Sequence, residues 1–190
     1  MIDYQPHEYQ MIAIKFMDDH PKCLMALDMG LGKTSITLWN IRKWIDDFEV
    51  NRVLVIAPKL VATASWPDEI RKWSFCKDLT VNVATGTAKP RREAIDNPSD
   101  IVTIGRENVQ WLIDTYGMNW PFDCLVIDES SSFKSPQAKR FKYLKRMCGT
   151  FTRVVELSGT PQPRDLSDLW AQIYLLDRGK RLGSSIGAFR

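Results

Sequence analysis

Short runs of valine, isoleucine and leucine punctuate the chain: CLMALD at 23–28, RVLVIAP at 52–58, LTVNVA at 79–84, DIVTIG at 100–105, FDCLVID at 122–128 and RVVELSG at 153–159. Each is followed by turn or capping residues, and continuous apolar runs of this kind read as strands covered on both faces. The stretches between them carry helical spacing. Leu38, Ile41, Ile45 and Phe48 share one face of a helix following Gly32. After Ser65, read as a cap with Asp68 and Glu69 in the first turn, Trp66, Ile70 and Trp73 make a second stripe. Strands alternating with amphipathic helices predict an α/β fold in three layers, a mostly parallel central sheet with helices on both faces.

Composition narrows the class. With 190 residues, 44% of them hydrophobic, the chain fits one domain with a full core, and no repeat or low-complexity tract divides it. No uncharged apolar run approaches the ~18 residues of a membrane span, and MIDYQPHEYQ lacks a signal-peptide core. A soluble, cytoplasmic protein with no membrane partner is expected. Cys23, Cys76, Cys124 and Cys148 are scattered with no C-x-x-C pair, and His7 and His20 are the two histidines. That disfavours a disulfide framework or a zinc site and favours buried, reduced thiols.

Candidate chemistry sits where apolar runs end. In ALDMGLGKTS a strand runs into Gly30-Leu31-Gly32-Lys33-Thr34 and then a helix. Glycines that turn backbone N–H groups inward, ahead of a helix N-terminus, make an anion site. Lys33 would reach the outer phosphates of a nucleotide and Thr34 would ligate Mg2+. The strict phosphate-loop pattern needs a further glycine where Leu27 stands, so a plain glycine turn ahead of a helix is the competing reading. In LVIDES, Asp128 and Glu129 follow a buried strand, at the end where open parallel sheets bind ligands. Phosphoryl transfer to water needs one group to hold the metal and another to orient the water; Asp128 suits the first and Glu129 the second. The stretch between Lys33 and Asp128 leaves room for several strand–helix units. Ser158-Gly159-Thr160-Pro161 closes a third strand; its hydroxyls suit a phosphate sensor or relay, and by itself the segment is also a simple turn.

The order GLGKT, then Ala57-Pro58-Lys59, then Asp128-Glu129-Ser130-Ser131, then Ser158-Gly159-Thr160-Pro161 resembles the first RecA-like lobe of superfamily-two helicases, and most closely the Swi/Snf family of DNA translocases. That family's loop typically reads D-E-M-G-L-G-K-T, which accounts for Leu27. The resemblance implies a P-loop NTPase (RecA-like) fold and Mg-ATP as cofactor, held by Gln10 at the base and by Asp28, Met29, Gly30, Leu31, Gly32, Lys33, Thr34 and Ser35 around the phosphates. It implies Lys33, Asp128 and Glu129 as catalytic, Thr34 and Asp128 as metal ligands, Lys59 and more weakly Arg106 as nucleic-acid contacts, and Ser158 and Thr160 as coupling residues. Trp66, Glu69, Lys72 and Trp73 are similar to a tryptophan-bearing segment of the family; by spacing alone the two tryptophans read as core. Ser131 stands where the family usually has histidine, and Ile104-Gly105-Arg106 where members often show a tyrosine.

The family is two-lobed. The resemblance therefore implies that 1–190 is the N-terminal ATP-binding lobe, that 178–190 begins the connection to a second lobe, and that hydrolysis is weak without it. Duplex DNA is the expected track, and phage or bacterial members are the expected kin. The charge of +3 gives no overall basic field. Lys139, Arg140, Lys142, Lys145 and Arg146 read either as a phosphate-facing patch or as the solvated face of an amphipathic helix. Two alternatives stay open: an RNA helicase lobe of the same superfamily, and a stand-alone module that binds ATP or a partner without motor activity.

Overall fold

The computed structural model describes residues 1–117, 119–159 and 166–189. Six parallel strands among them form one sheet: β1 (Lys22–Ala26), β2 (Val53–Ala57), β3 (Val81–Ala84), β4 (Ile101–Gly105), β5 (Cys124–Asp128) and β6 (Arg153–Ser158). Their order is β1-β6-β5-β2-β4-β3. Every apolar run of the sequence coincides with one of these strands. Helices α1 (Glu8–Asp19), α2 (Lys33–Asp46) and α3 (Trp66–Lys72) precede β3; α4 (Ala88–Asp96), α5 (Val109–Tyr116), α6 (Lys139–Met147), α7 (Leu166–Asp177) and α8 (Ile186–Phe189) follow it.

Alternation along each strand feeds two cores, one per face. Val53, Val55, Val126, Val155 and Leu157 pack with Ile14, Ile36, Leu38, Ile41, Trp44 and Trp66 from α1 to α3. Leu54, Ile56, Leu125, Ile127 and Val154 pack with Leu112, Phe141, Leu144, Trp170 and Leu175 from α5 to α7. This is the predicted three-layer fold. The four cysteines are buried and free; burial pushes the Cys23 and Cys76 thiols up to about 12, which keeps them protonated and inert at neutral pH.

Two local expectations are corrected. The first concerns Phe48, placed on the buried stripe of α2: the helix ends at Asp46, Phe48 turns left-handed with φ 58°, and the residue is 91% exposed. Val50 takes the core position instead. The second concerns Ser65, which is not a cap but a helical residue with φ −61° and ψ −46°. The helical path starts at Lys59, directly after Pro58, and widens into π-type turns over Val61–Ser65 before α3. Pro67 supplies the reason: it has no N–H for the carbonyl four residues back and its ring crowds that carbonyl, so the preceding turn opens. The Trp66 N–H accordingly donates to Val61 O, five residues earlier.

Candidate nucleotide-binding site

Strands β1, β6 and β5 are neighbours, and register pairs Ala26 with Ser158 and Asp128 with Leu157. The glycine loop, Ser158-Gly159 and Asp128-Glu129 therefore emerge at one edge, at the C-terminal ends of three adjacent strands. Gly30 and Gly32 adopt φ of 82° and 76°, open to glycine and strained for other residues. Gly32 is also the N-cap of α2 and supplies no side-chain acceptor. The first-turn N–H groups of this 14-residue helix thus remain available to an anion at its positive end.

Lys33 Nζ lies inside the loop's curve, donating to Leu27 O at 2.8 Å and Asp28 O at 3.1 Å. A Cβ built on Gly159 would lie 3.6 Å from that ammonium and 3.2 Å from Met29 Cγ, so the end of β6 abuts the loop directly. Asp128 is buried and its carboxyl is held between two donors: Trp66 Nε1 to Oδ2 at 2.9 Å, and the Glu129 N–H to Oδ1 at 2.9 Å. Burial pushes the Asp128 pKa above the ordinary carboxylate range, while the indole, the Glu129 N–H and the Lys33 ammonium pull against that rise. Lys33 and Asp128 are thus within electrostatic reach of each other. Glu129 has φ 54° and ψ 55°, a left-handed conformation that costs an L-residue about 1–2 kcal/mol. Such strain persists where surrounding structure fixes it, often at functional sites.

On the other side of the loop, a cavity of about 700 Å³ is lined by Tyr4, His7, Gln10, Gly32, Lys33, Thr34, Ser35 and Glu69, among others. Asp128 and Glu129 do not line it; Asp128 ends β5 and Glu129 follows it. Gln10 is buried and doubly engaged, its Oε1 accepting from the His7 N–H at 2.9 Å and its Nε2 donating to Leu31 O at 3.2 Å. The Tyr9 hydroxyl also donates to Leu31 O, so the start of α1 is fastened to the phosphate loop. Ser35 Oγ donates to Gly32 O at 2.9 Å, and Thr37 Oγ1 donates to Lys33 O. Asp28, Met29 and Gly30 are exposed, while Leu31 and Thr34 are partly so.

The donor set fits a magnesium-bound triphosphate. Main-chain N–H groups and the Lys33 ammonium would face the anion, and the Thr34 hydroxyl and the Asp128 carboxylate are oxygen donors of the kind Mg2+ prefers. Lys59 is exposed at the start of the helical path after β2. Arg106, in a 3-10 turn after β4, shares a recess of about 310 Å³ with Lys139 and Arg140. On α6 the aromatic and aliphatic side chains Phe141 and Leu144 are buried, and Lys145 Nζ sits 4.3 Å from the Tyr174 ring centre. Ser158 is buried with its hydroxyl unbonded among the described residues; Thr160 lies outside the described residues. Trp66 lies in the core, as its spacing indicates, and its bond to Asp128 joins positions 62 residues apart with no local signal in the sequence.

A six-stranded parallel sheet with a glycine loop after one strand and an acidic pair two strands away is the RecA-like P-loop fold. The family model for the SNF2-related domain matches residues 4–182, and the chain belongs to that family. It is 36% identical over its whole length to protein p41 of Acyrthosiphon pisum secondary endosymbiont phage 1, covering 43% of that protein. It is 27% identical to chromatin remodeling factor mit1 of Schizosaccharomyces pombe, with 93% of this chain and 13% of mit1 covered. The SWI2/SNF2 ATPase core of Sulfolobus solfataricus in complex with dsDNA superposes with a TM-score of 0.84 at 26% identity, over 98% of this chain and 38% of that one. The chain thus spans less than half the length of these relatives. Among the described residues no helix is long and apolar enough to cross a membrane.

Proposed function

We propose that residues 1–190 are the N-terminal ATP-binding lobe of a translocase that couples Mg-ATP hydrolysis to movement on duplex DNA, with 178–190 beginning the connection to a second lobe. The observation that carries this reading is that the glycine loop, with Lys33 Nζ in its curve, and the end of β5, with Asp128, emerge at one sheet edge. In this reading the N–H groups at the start of α2 and Lys33 hold the phosphates, and Gln10, already tied to Leu31, reads the base with its remaining N–H and lone pair. Thr34 and Asp128 hold Mg2+, which when bound neutralises charge on the outer phosphates. Glu129 orients the attacking water and takes its proton. Lys59 and Arg106 contact the DNA backbone, and Ser158 with Thr160 relays the state of the phosphates to the cleft.

Coverage of less than half of the relatives supports a missing second lobe. An arginine reaching across such a cleft contributes on the order of 10³–10⁵ in rate in phosphoryl-transfer enzymes, so this lobe by itself binds nucleotide and turns it over slowly. The dsDNA bound by the Sulfolobus relative supports the choice of track, and the phage relative supports a cytoplasmic location in a host cell. The test is phosphate release by the two-lobed protein with duplex DNA, single-stranded DNA and RNA. Duplex DNA stimulates most, and Glu129→Gln abolishes turnover while retaining nucleotide binding. Stimulation by RNA alone would replace the DNA reading, and normal turnover by Glu129→Gln would remove the water-orienting role.

A further inference from the structure

The helical segment after β2 bridges two parts of the site that the sequence treats separately. It begins at Lys59 on the exposed edge, passes through the π-type turns at Val61–Ser65, and delivers Trp66 to Asp128. Trp66 is fully buried and its indole N–H reaches Oδ2 at 2.9 Å; the Glu129 N–H holds Oδ1. The carboxylate plane is therefore set by one donor from its own strand end and one from α3. The helix register that aims Trp66 depends on the widened turn. Within that turn the Ala62 carbonyl accepts a buried bond of 2.7 Å from Thr103 Oγ1 on β4. Further along the same segment Ser65, Glu69 and Lys72 line the 700 Å³ cavity beside the glycine loop. An apolar core position asks only for shape, whereas this one carries an oriented donor on a buried carboxyl.

We infer that Trp66 is a positioning residue for Asp128: its indole N–H fixes the carboxylate in the orientation that receives Mg2+, and α3 ties that orientation to the segment that starts at Lys59. This rests on the nucleotide reading of the same site. A bond to a charged group is stronger than a neutral one, and removing the donor leaves a buried carboxylate one partner short. Trp66→Phe keeps an aromatic ring in the core and deletes the donor.

The experiment titrates the 190-residue chain with a fluorescent ADP analogue in Mg2+ and in excess EDTA. In EDTA, Trp66→Phe binds like the unaltered chain, since the glycine loop and Lys33 are untouched. In Mg2+, the gain in affinity that the metal supplies falls by about tenfold or more, in line with the loss of a charge-assisted bond. In an Asp128→Ala background the same substitution changes the metal-dependent gain by less than about twofold, the result of a cycle whose effect runs through one partner. Equal losses in EDTA and Mg2+, or the same loss without Asp128, would make Trp66 a packing residue and overturn the inference. Should Trp66→Phe fail to fold, the unaltered chain is read by the N–H resonances of its seven indoles. One that is protected from solvent exchange shifts when Mg2+ is added to the ADP-saturated chain; no such shift overturns the inference. Absence of nucleotide binding by the unaltered chain in either buffer would strike the nucleotide reading itself, and the role of Trp66 would fall with it.

Discussion

Glu156 is fully buried in the middle of β6, and neither carboxyl oxygen has a hydrogen-bond partner among the described residues. Ser130 is beside it, but its hydroxyl donates to Gln172 Oε1 at 2.9 Å. Burial pushes the Glu156 pKa well above the ordinary range, more than Ser130 and Arg181 offset, so the residue is neutral where other glutamates are ionised. The sign of the linkage follows. A carboxyl whose pKa is raised by folding contributes stability that is complete below its unfolded pKa and is lost as pH rises through the folded one. Each pH unit in that window removes about 1.4 kcal/mol. Glu156→Gln has the same shape and does not titrate, so its stability relative to the unaltered chain increases with pH and levels off above the folded pKa. A buried polar group left unpaired costs about 1–3 kcal/mol, so Glu156→Leu gains further at every pH. The assay is urea unfolding of the three proteins across a series from about pH 5 to pH 8, reading midpoint and slope. Parallel curves, with a constant difference between the unaltered chain and the Glu156→Gln variant at all pH values, would refute the argument that this carboxyl is held neutral by the fold.

Two further predictions address the loop and the track. Gly32→Ala places a Cβ 2.5 Å from Gln10 Nε2 at φ 76°, whereas at Gly30, with φ 82°, a Cβ meets nothing within 4 Å. Both substitutions incur the left-handed penalty of about 1–2 kcal/mol, but only Gly32→Ala displaces the Gln10 amide, so calorimetric Tm falls further and nucleotide affinity drops more in that variant. Equal behaviour of the two would mean that Gln10 does not brace the loop. Lys59→Ala in the two-lobed protein weakens duplex binding about equally for all sequences and lowers the salt slope by about one, read from affinity against salt concentration. An unchanged slope would remove Lys59 from the track.

Much of this architecture is legible in the chain because its signals are local. Six apolar runs mark six strands; β2, β4, β5 and β6 are buried throughout and need no polar alternation, while β1 and β3 lie at the sheet's edges and are partly exposed. GLGKT and the acidic pair sit at strand ends, and a parallel sheet brings such ends to one edge whatever the loops between them do. The failures are also physical. The α2 stripe overshoots to Phe48 because periodicity does not register the left-handed turn that ends the helix. Ser65 mimics a cap because Asp68 and Glu69 follow it as in a helix's first turn, when it lies inside a helical path that opens a π-type turn ahead of Pro67. The Trp66 to Asp128 bond and the buried Glu156 depend on which side chains face each other across layers. No spacing along the chain encodes that. The structure gives the α6 cations these surroundings. Phe141 and Leu144 make the helix amphipathic, while Arg140 and Lys139 share the recess of Arg106.

The most direct measurement is the affinity of the 190-residue chain for Mg-ATP by calorimetric titration, taken for the unaltered protein, Lys33→Ala and Asp128→Asn. One bound nucleotide per chain, binding lost in Lys33→Ala, and a metal-dependent share of the affinity lost in Asp128→Asn is the expected result. A Lys33→Ala chain that still binds Mg-ATP as tightly as the original would mean that the glycine loop and the acidic pair do not meet on one triphosphate.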